Sequence, residues 1–139
     1  MIFYAVVDTN VLVSALLSSH SDAATVQVVD RLFDGAFIPL FSEEILAEYN
    51  EVLRRDKFHF SESAVGTLIS SIENSGTCIH PAATNEVLPD MKDLPFYEVV
   101  MDRQSDDAYL VTGNLKHFPK KPFIVTAREF LNIINQSDK

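Results

Sequence analysis

Two kinds of hydrophobic pattern alternate along this chain. Residues 2–7 form an almost continuous apolar run, which predicts a strand buried on both faces. Residues 9–17, which follow directly, have apolar positions at helical spacing. Further short apolar runs predict strands at residues 36–41, 108–112 and 123–125, with another candidate at 77–80.

Helical spacing returns between these runs, and residues typical of helix ends flank it. The predicted later helices cover residues 23–34, 43–53, 61–74 and 95–103, and a terminal helix follows position 126. Gly35 is placed to end the second helix, and Ser42 to cap the third. Thr126 and Glu129 have the spacing of a capping box for the last helix.

Apolar strands that alternate with helices predict an α/β fold with a parallel sheet covered on both faces. No repeat or linker divides the chain, so we expect a single domain over residues 1–139. In such folds the functional groups collect at the carboxyl ends of the strands. We therefore take as functional candidates those acidic residues that are predicted to lie at the carboxyl ends of the strands.

The composition narrows the class of protein. The 139 residues carry 20 Asp and Glu against 11 Lys and Arg, a formal net charge of −9, which argues against a large basic nucleic-acid platform. The acid surplus has three ordinary explanations: solubility, a basic partner, or carboxylates gathered around metal ions. Cys78 is the single cysteine, which excludes a disulfide framework and a cysteine zinc cluster. We expect a soluble cytoplasmic protein, with no membrane span and no signal peptide.

Two acids fit the carboxyl edge or a cleft beside it. Asp8 directly follows the first strand, although it could simply cap the next helix. Glu48 borders the apolar stripe of the third helix at about 100° per residue, closer to it than Glu43, Glu44 or Glu51. The alternative for Glu48 is a solvated flank residue or one member of an ion pair.

A third acid, Asp93, lies in an irregular segment just before the fifth helix, which it could otherwise cap. Asp106 and Asp107 fall at the amino end of a strand, so we interpret them as turn residues. Three acids at one edge repel one another, and divalent cations such as Mg²⁺ or Mn²⁺ relieve that repulsion. Metal ions held this way support phosphate-ester hydrolysis.

Other chemistries lack their motifs. The chain has no phosphate-binding glycine loop, no HExxH and no GxSxG, and its four histidines are scattered. Two groups of basic residues are candidates for binding RNA phosphates, the alternative being ordinary surface loops. They comprise Arg54, Arg55 and Lys57 in one group and Lys116, Lys120 and Lys121 in the other.

Four segments in this order resemble the PIN domain, and more narrowly its VapC-like branch of toxins from toxin–antitoxin pairs. They read VVDTNVLVSALL, SEEILAEYNEVL, DMKDLPFYEVV and AYLVTGNLKHF. The resemblance runs from Asp8 to Phe118 and implies a three-layer α/β/α, Rossmann-like domain with a mostly parallel sheet. It also implies a metal-dependent ribonuclease.

The resemblance assigns roles to particular positions. It places the catalytic and metal-binding acids at Asp8, Glu48 and Asp93, with Mg²⁺ or Mn²⁺ as the cofactor. Supporting positions fall on Asn10, Asp90, Thr112 and Asn114. At Asn114 the family has an acid, so this chain brings one charge fewer to the site.

Partners and alternatives follow from the same resemblance. It implies an RNA substrate, a homodimer and neutralisation by a small antitoxin protein. The missing charge at Asn114 motivates a second hypothesis, a PIN domain that binds RNA or protein with little or no cleavage. A metal-dependent phosphatase or DNA nuclease using the same carboxylates is a third.

Overall fold

A computed structural model describes residues 1–136 of the chain. Five strands form one sheet in the order β3-β2-β1-β4-β5, and every neighbouring pair is parallel. The strands are β1 (Tyr4–Val7), β2 (Ile38–Phe41), β3 (Thr77–Cys78), β4 (Tyr109–Val111) and β5 (Ile124–Val125). The predicted parallel sheet is thus confirmed.

Six helices flank the sheet and give a three-layer α/β/α fold, as predicted. They are α1 (Thr9–Leu17), α2 (Ala24–Phe33), α3 (Glu43–Leu53), α4 (Glu62–Ser75), α5 (Leu94–Asp102) and α6 (Ala127–Gln136). Helix α5 packs against β1, β2 and β4, whereas α6 packs against β4 and α2. Within residues 1–136 no helix is long and apolar enough to cross a membrane.

The helix ends have local causes in the sequence. The Ser42 hydroxyl accepts a hydrogen bond from the Ile45 amide at the start of α3, as an N-cap should. Thr126 and Glu129 form the reciprocal capping box of α6. Gly35 has a φ of 77°, the left-handed conformation that ends α2.

The centre of the sheet is fully buried and sets the position of the functional edge. Ala5, Val6 and Val7 of β1 are at most 2 % exposed. Val7 pairs with Val111, so β1 and β4 end side by side. The residues that follow these two strands therefore meet at one edge, as expected for parallel neighbours.

The prediction differs from the structure mainly at the sheet margins. The candidate strand at residues 77–80 is reduced to Thr77–Cys78, both exposed at the outer edge of the sheet.

Asp8 and Asp93 occupy N-cap positions, yet neither side chain makes a capping hydrogen bond. Both carboxylates are directed instead to partners from other segments.

Candidate active site

Asp8 begins the site at the carboxyl end of β1. Its amide donates to the Val111 carbonyl at 2.9 Å, which continues the pairing of β1 with β4 beyond the strand. Its Oδ2 accepts a hydrogen bond of 2.7 Å from the hydroxyl of Thr112, the residue that follows β4. Asp8 is only 5 % exposed and Thr112 is fully buried. The two strand ends thus hold this carboxylate in place.

Burial dominates the acidity of Asp8. Burial raises the pKa of Asp8, the Thr112 hydrogen bond opposes this, and the negative charges of Asp93 and Glu48 add to it, so that the pKa is about 6. The ionised side chain is therefore unfavourable where it lies, and a nearby cation would stabilise it.

Helix α3 carries the second acid, Glu48. The Thr9 hydroxyl donates to Glu48 Oε2, which connects α3 to the start of α1. The neighbouring Tyr49 is buried, and its hydroxyl donates to the Val7 carbonyl, so α3 is fixed against β1. Burial raises the pKa of Glu48, and the charge of Asp93 adds to this.

Asp93 supplies the third acid at the start of α5. Its Oδ2 lies 3.0 Å from Nδ1 of His117, which follows β4 in a short 3-10 turn, Leu115–His117. Burial raises the pKa of Asp93, the His117 contact lowers it, and the charge of Asp90 raises it. Asp90 itself accepts a hydrogen bond from the Lys92 amide.

Two amides complete the polar edge. The Asn10 side-chain oxygen accepts a hydrogen bond of 3.3 Å from the Gly113 amide. The backbone amide of Asn114 donates to the Thr112 hydroxyl at 3.0 Å, and the Asn114 side chain is exposed. Asn10 and Asn114 therefore fix the loop that follows β4 next to Asp8.

These side chains line one open cleft of about 350 Å³, which we call the acidic cleft. The predicted acids and amides in its lining are Asp8, Asn10, Glu48, Asp90, Asp93 and Asn114. Thr112 lies buried behind Asp8, and Arg55 and Lys92 add positive charge to the wall. Acids from three distant segments thus meet at one edge of the sheet.

The donor set has the chemistry of a site for a hard divalent cation. As they stand, no three or more His, Cys, Asp and Glu side chains among residues 1–136 are grouped so that they could hold a metal ion. Each of the three acids instead bonds a protein partner: Thr112, Thr9 or His117. Mg²⁺ usually keeps several waters and uses one or two carboxylates, so a hydrated ion needs no closed cage. Oxygen donors with raised pKa values fit such an ion.

The two basic groups differ in their surroundings. Arg54 forms a two-pronged ion pair with Glu62, and Arg55 forms one with Glu51. The Lys57 ammonium lies 5.1 Å from the centre of the Phe58 ring. Of this first group, Arg55 lines the acidic cleft, whereas Arg54 and Lys57 do not.

Lys116, Lys120 and Lys121 lie elsewhere. They line a separate groove beside β5, and the structure does not bring them into the acidic cleft. This second group adjoins the acidic cleft only through the turn Leu115–His117, because Leu115 and Lys116 line the groove and His117 lines the cleft.

Two residues of the site, His117 and Thr9, are not predicted from the sequence. His117 contacts an acid 24 positions earlier in the chain, so no local spacing reveals the pair. Its position shortly after β4 is the one available signal, because that places it at the same carboxyl edge as Asn114. Thr9 has the residue type and position of a helix cap, which hides its contact with Glu48.

The fold and site together define an α/β domain whose acid-lined cleft opens at the carboxyl edge of a parallel sheet. A family model described as PIN domain matches residues 4–116, so the chain belongs to the PIN-domain family. PIN domains are generally metal-dependent nucleases. Neither the curated proteins nor the solved structures contain a match to this chain.

Proposed function

We propose that this protein is a metal-dependent endoribonuclease that hydrolyses RNA phosphodiesters in the acidic cleft. The observation that carries the proposal is the convergence of Asp8, Glu48 and Asp93, with the pKa of each raised by burial. These acids would hold a hydrated Mg²⁺ or Mn²⁺, one or two of them directly and the rest through bound water. The cation would relieve the unfavourable burial of negative charge that they share.

The bound ion would polarise the phosphodiester and make an attacking water more acidic. The protein's own residues keep the acids in position: the Thr112 and Thr9 hydroxyls hold Asp8 and Glu48, and His117 holds Asp93. Lys92 in the cleft wall, which has no ion-pair partner within residues 1–136, would attract the phosphate. The hydrogen bonds of Asn10 and Asn114 keep the loop after β4 next to Asp8.

Cleavage of RNA with Mn²⁺ present, compared with EDTA, tests this proposal. Asp8→Asn should reduce the rate at least about a hundredfold. Asp106→Asn, at the exposed amino end of β4, is the matched control and should leave the rate unchanged. A panel of RNA, DNA and small phosphate esters separates a ribonuclease from a DNA nuclease or a phosphatase. Purified protein that binds no divalent metal and cleaves no RNA would refute the proposal.

We further propose that the nuclease is the toxin of a toxin–antitoxin pair, acting in the cytoplasm as a homodimer. This part rests on the resemblance of the four segments quoted above to the VapC-like branch. A small antitoxin protein with a basic segment would suit the net charge of −9. A small reading frame next to the gene, whose product co-purifies with this protein, would support the assignment. Sedimentation measures the oligomeric state.

A binding module without cleavage is the second candidate function. Asn114 favours it, because an uncharged side chain lines the cleft where the family resemblance places an acid. This candidate predicts RNA or protein binding that persists in EDTA, together with no turnover in Mn²⁺.

A further inference from the structure

A second concave surface adjoins the acidic cleft. This surface, which we call the β5 groove, has a volume of about 780 Å³. Its apolar lining consists of Leu115, Phe118, Pro119, Pro122, Ile124 and Val125. The 3-10 turn Leu115–His117 joins the two surfaces, since Leu115 lines the groove and His117 lines the cleft. A ligand that passes over this turn would contact both.

Positive charge surrounds the apolar lining. Lys116, Lys120 and Lys121 line the groove, and none of them is ion-paired within residues 1–136. The one acid in the lining, Glu129, accepts a hydrogen bond from the Thr126 amide at the start of α6. In an acidic protein, this groove is a local site for a negatively charged ligand.

We propose that the β5 groove binds a single-stranded stretch of the RNA substrate beyond the cleaved phosphodiester. The proposal rests on the nuclease function proposed above. The three lysines would contact phosphates, and the apolar residues would contact unpaired bases. A duplex keeps its bases stacked inside, so it cannot offer them to an apolar groove.

The structure favours this group of basic residues over the first group. Arg54 and Arg55 are each held by a glutamate, so binding a phosphate would require them to give up an ion pair. The three lysines of the groove make no such exchange. Continuity with the acidic cleft also favours a strand of RNA over an acidic protein segment.

An added peptide strand is disfavoured for a further reason. The Ile124 amide, which points away from β4, already donates to the Lys121 carbonyl at 3.1 Å. The next outward amide, Thr126, donates to Glu129. The edge of β5 therefore has few free donors with which to pair an extended peptide.

Fluorescence anisotropy with a labelled single-stranded RNA of about ten nucleotides tests the proposal. Binding is measured in EDTA, so that it does not depend on cleavage. The triple variant Lys116→Gln, Lys120→Gln, Lys121→Gln should bind at least tenfold more weakly. Its slope of log affinity against log salt should fall by about 2, at about 0.7 for each phosphate that a lysine no longer neutralises. The comparison triple Arg54→Gln, Arg55→Gln, Lys57→Gln should show the smaller loss.

The apolar part of the groove has a test of its own. Leu115 is 42 % exposed, so Leu115→Ser should leave the fold intact. We expect this variant to bind the RNA several-fold more weakly with an unchanged salt slope. An abasic oligonucleotide of the same length and charge should bind weakly and should not distinguish Leu115→Ser from the wild type.

Several outcomes would overturn the proposal. One is an unchanged RNA affinity of the lysine triple, with its fold checked by circular dichroism. Another is equal affinity of the wild type for a duplex of the same sequence. Poly-glutamate serves as a probe for an acidic protein segment. If the lysine triple loses binding to poly-glutamate but keeps its RNA affinity, the groove binds an acidic protein segment instead of RNA. A failure of the nuclease function shows separately, as absence of cleavage in Mn²⁺, because the binding assay contains no metal.

Discussion

Asp8 connects the stability of the protein to its proposed chemistry. Its carboxylate is buried at the junction of β1 and β4, and burial raises its pKa from an ordinary 3.8 to about 6. The folded protein therefore holds this proton more tightly than the unfolded chain does. It follows that the contribution of Asp8 to the free energy of unfolding decreases as the pH rises between about 4 and 6, and stays reduced above pH 6.

Asp8→Asn should consequently stabilise the protein at neutral pH. A shift of about two units corresponds to about 3 kcal/mol, and this is the upper limit of the gain at pH 7.5. The amide oxygen can still accept the Thr112 hydrogen bond. Urea unfolding should show the gain at pH 7.5 and little difference near pH 4. The exposed Asp106→Asn should change stability by no more than about 0.5 kcal/mol at either pH. A destabilised Asp8→Asn at pH 7.5 would contradict the prediction.

Asn114→Asp should increase the affinity of the cleft for divalent cations. The side chain is exposed and lines the cleft, so a carboxylate there adds one hard, charged oxygen donor at little folding penalty. We expect calorimetry to show Mn²⁺ binding about tenfold tighter. Asn132→Asp, the same charge change on an exposed position of α6, is the control. Equal affinities of the two variants would count against a metal site at this edge.

His117 should act through Asp93, whose orientation it fixes. His117→Ala removes the partner of Asp93 Oδ2, so the carboxylate gains freedom and Mn²⁺ binding should weaken several-fold. His117→Asn can return a nitrogen donor near the position of Nδ1, and should restore much of the affinity. Calorimetry measures both. Failure of the asparagine to improve on the alanine would indicate that the histidine serves only to fill space.

At the scale of secondary structure, helix α3 places Glu48 by means of its cap. Ser42→Ala removes the hydrogen bond to the Ile45 amide, and should cost about 1 kcal/mol of stability. It should also slow cleavage, because the first turn of α3 loosens near the site. Ser61→Ala removes the equivalent cap of α4, where the Ser61 hydroxyl accepts from the Ala64 amide. Equal destabilisation with no loss of cleavage is expected of that control.

The helices are the most predictable elements, because their signals are local. Residues 9–17 show helical spacing and form α1, and Ser42 caps α3 as its residue type suggests. The outer strand β3 is harder to predict, because its exposed residues 77 and 78 lack a buried apolar pattern. An edge strand takes its pairing from its neighbour rather than from its own sequence.

The candidate site divides in the same way. Asp8 and Glu48 can be selected from strand order and helical angle, both of which a sequence contains. The contact of Asp93 with His117 cannot, because it depends on how α5 and the turn after β4 pack in space. Both basic groups are candidates from the sequence, and the structure distinguishes them by the ion pairs of Arg54 and Arg55 and by the groove that the three lysines line.

For the whole molecule, the net charge of −9 is less informative than the distribution of charge. Three acids at the cleft favour a cation, whereas three lysines without ion pairs within residues 1–136 line the adjoining groove. An RNA strand could therefore meet a favourable surface on a protein that repels it at long range. Screening by salt weakens both effects, so the net charge alone does not predict the salt dependence of binding.

Alanine should change the free energy of unfolding in opposite directions at Gly66, within α4, and at Gly76, directly after it. Gly76 lies where the helix meets the sheet. A Cβ on Gly66 would meet no atom within 4 Å, so Gly66→Ala should stabilise the helix by about 0.5–1 kcal/mol. A Cβ on Gly76 would overlap the carbonyl oxygens of Ile72 and Pro39.

To relieve that overlap the backbone at Gly76 must shift away from both the last turn of α4 and β2, and Gly76→Ala should cost about 1–3 kcal/mol. Thermal unfolding measures both changes. The acidic cleft is built on β1, β4, α3 and α5, so cleavage well below the melting temperature should be unaltered in both variants. A neutral Gly76→Ala would mean that α4 is not held against the sheet as closely as its contact with Pro39 requires.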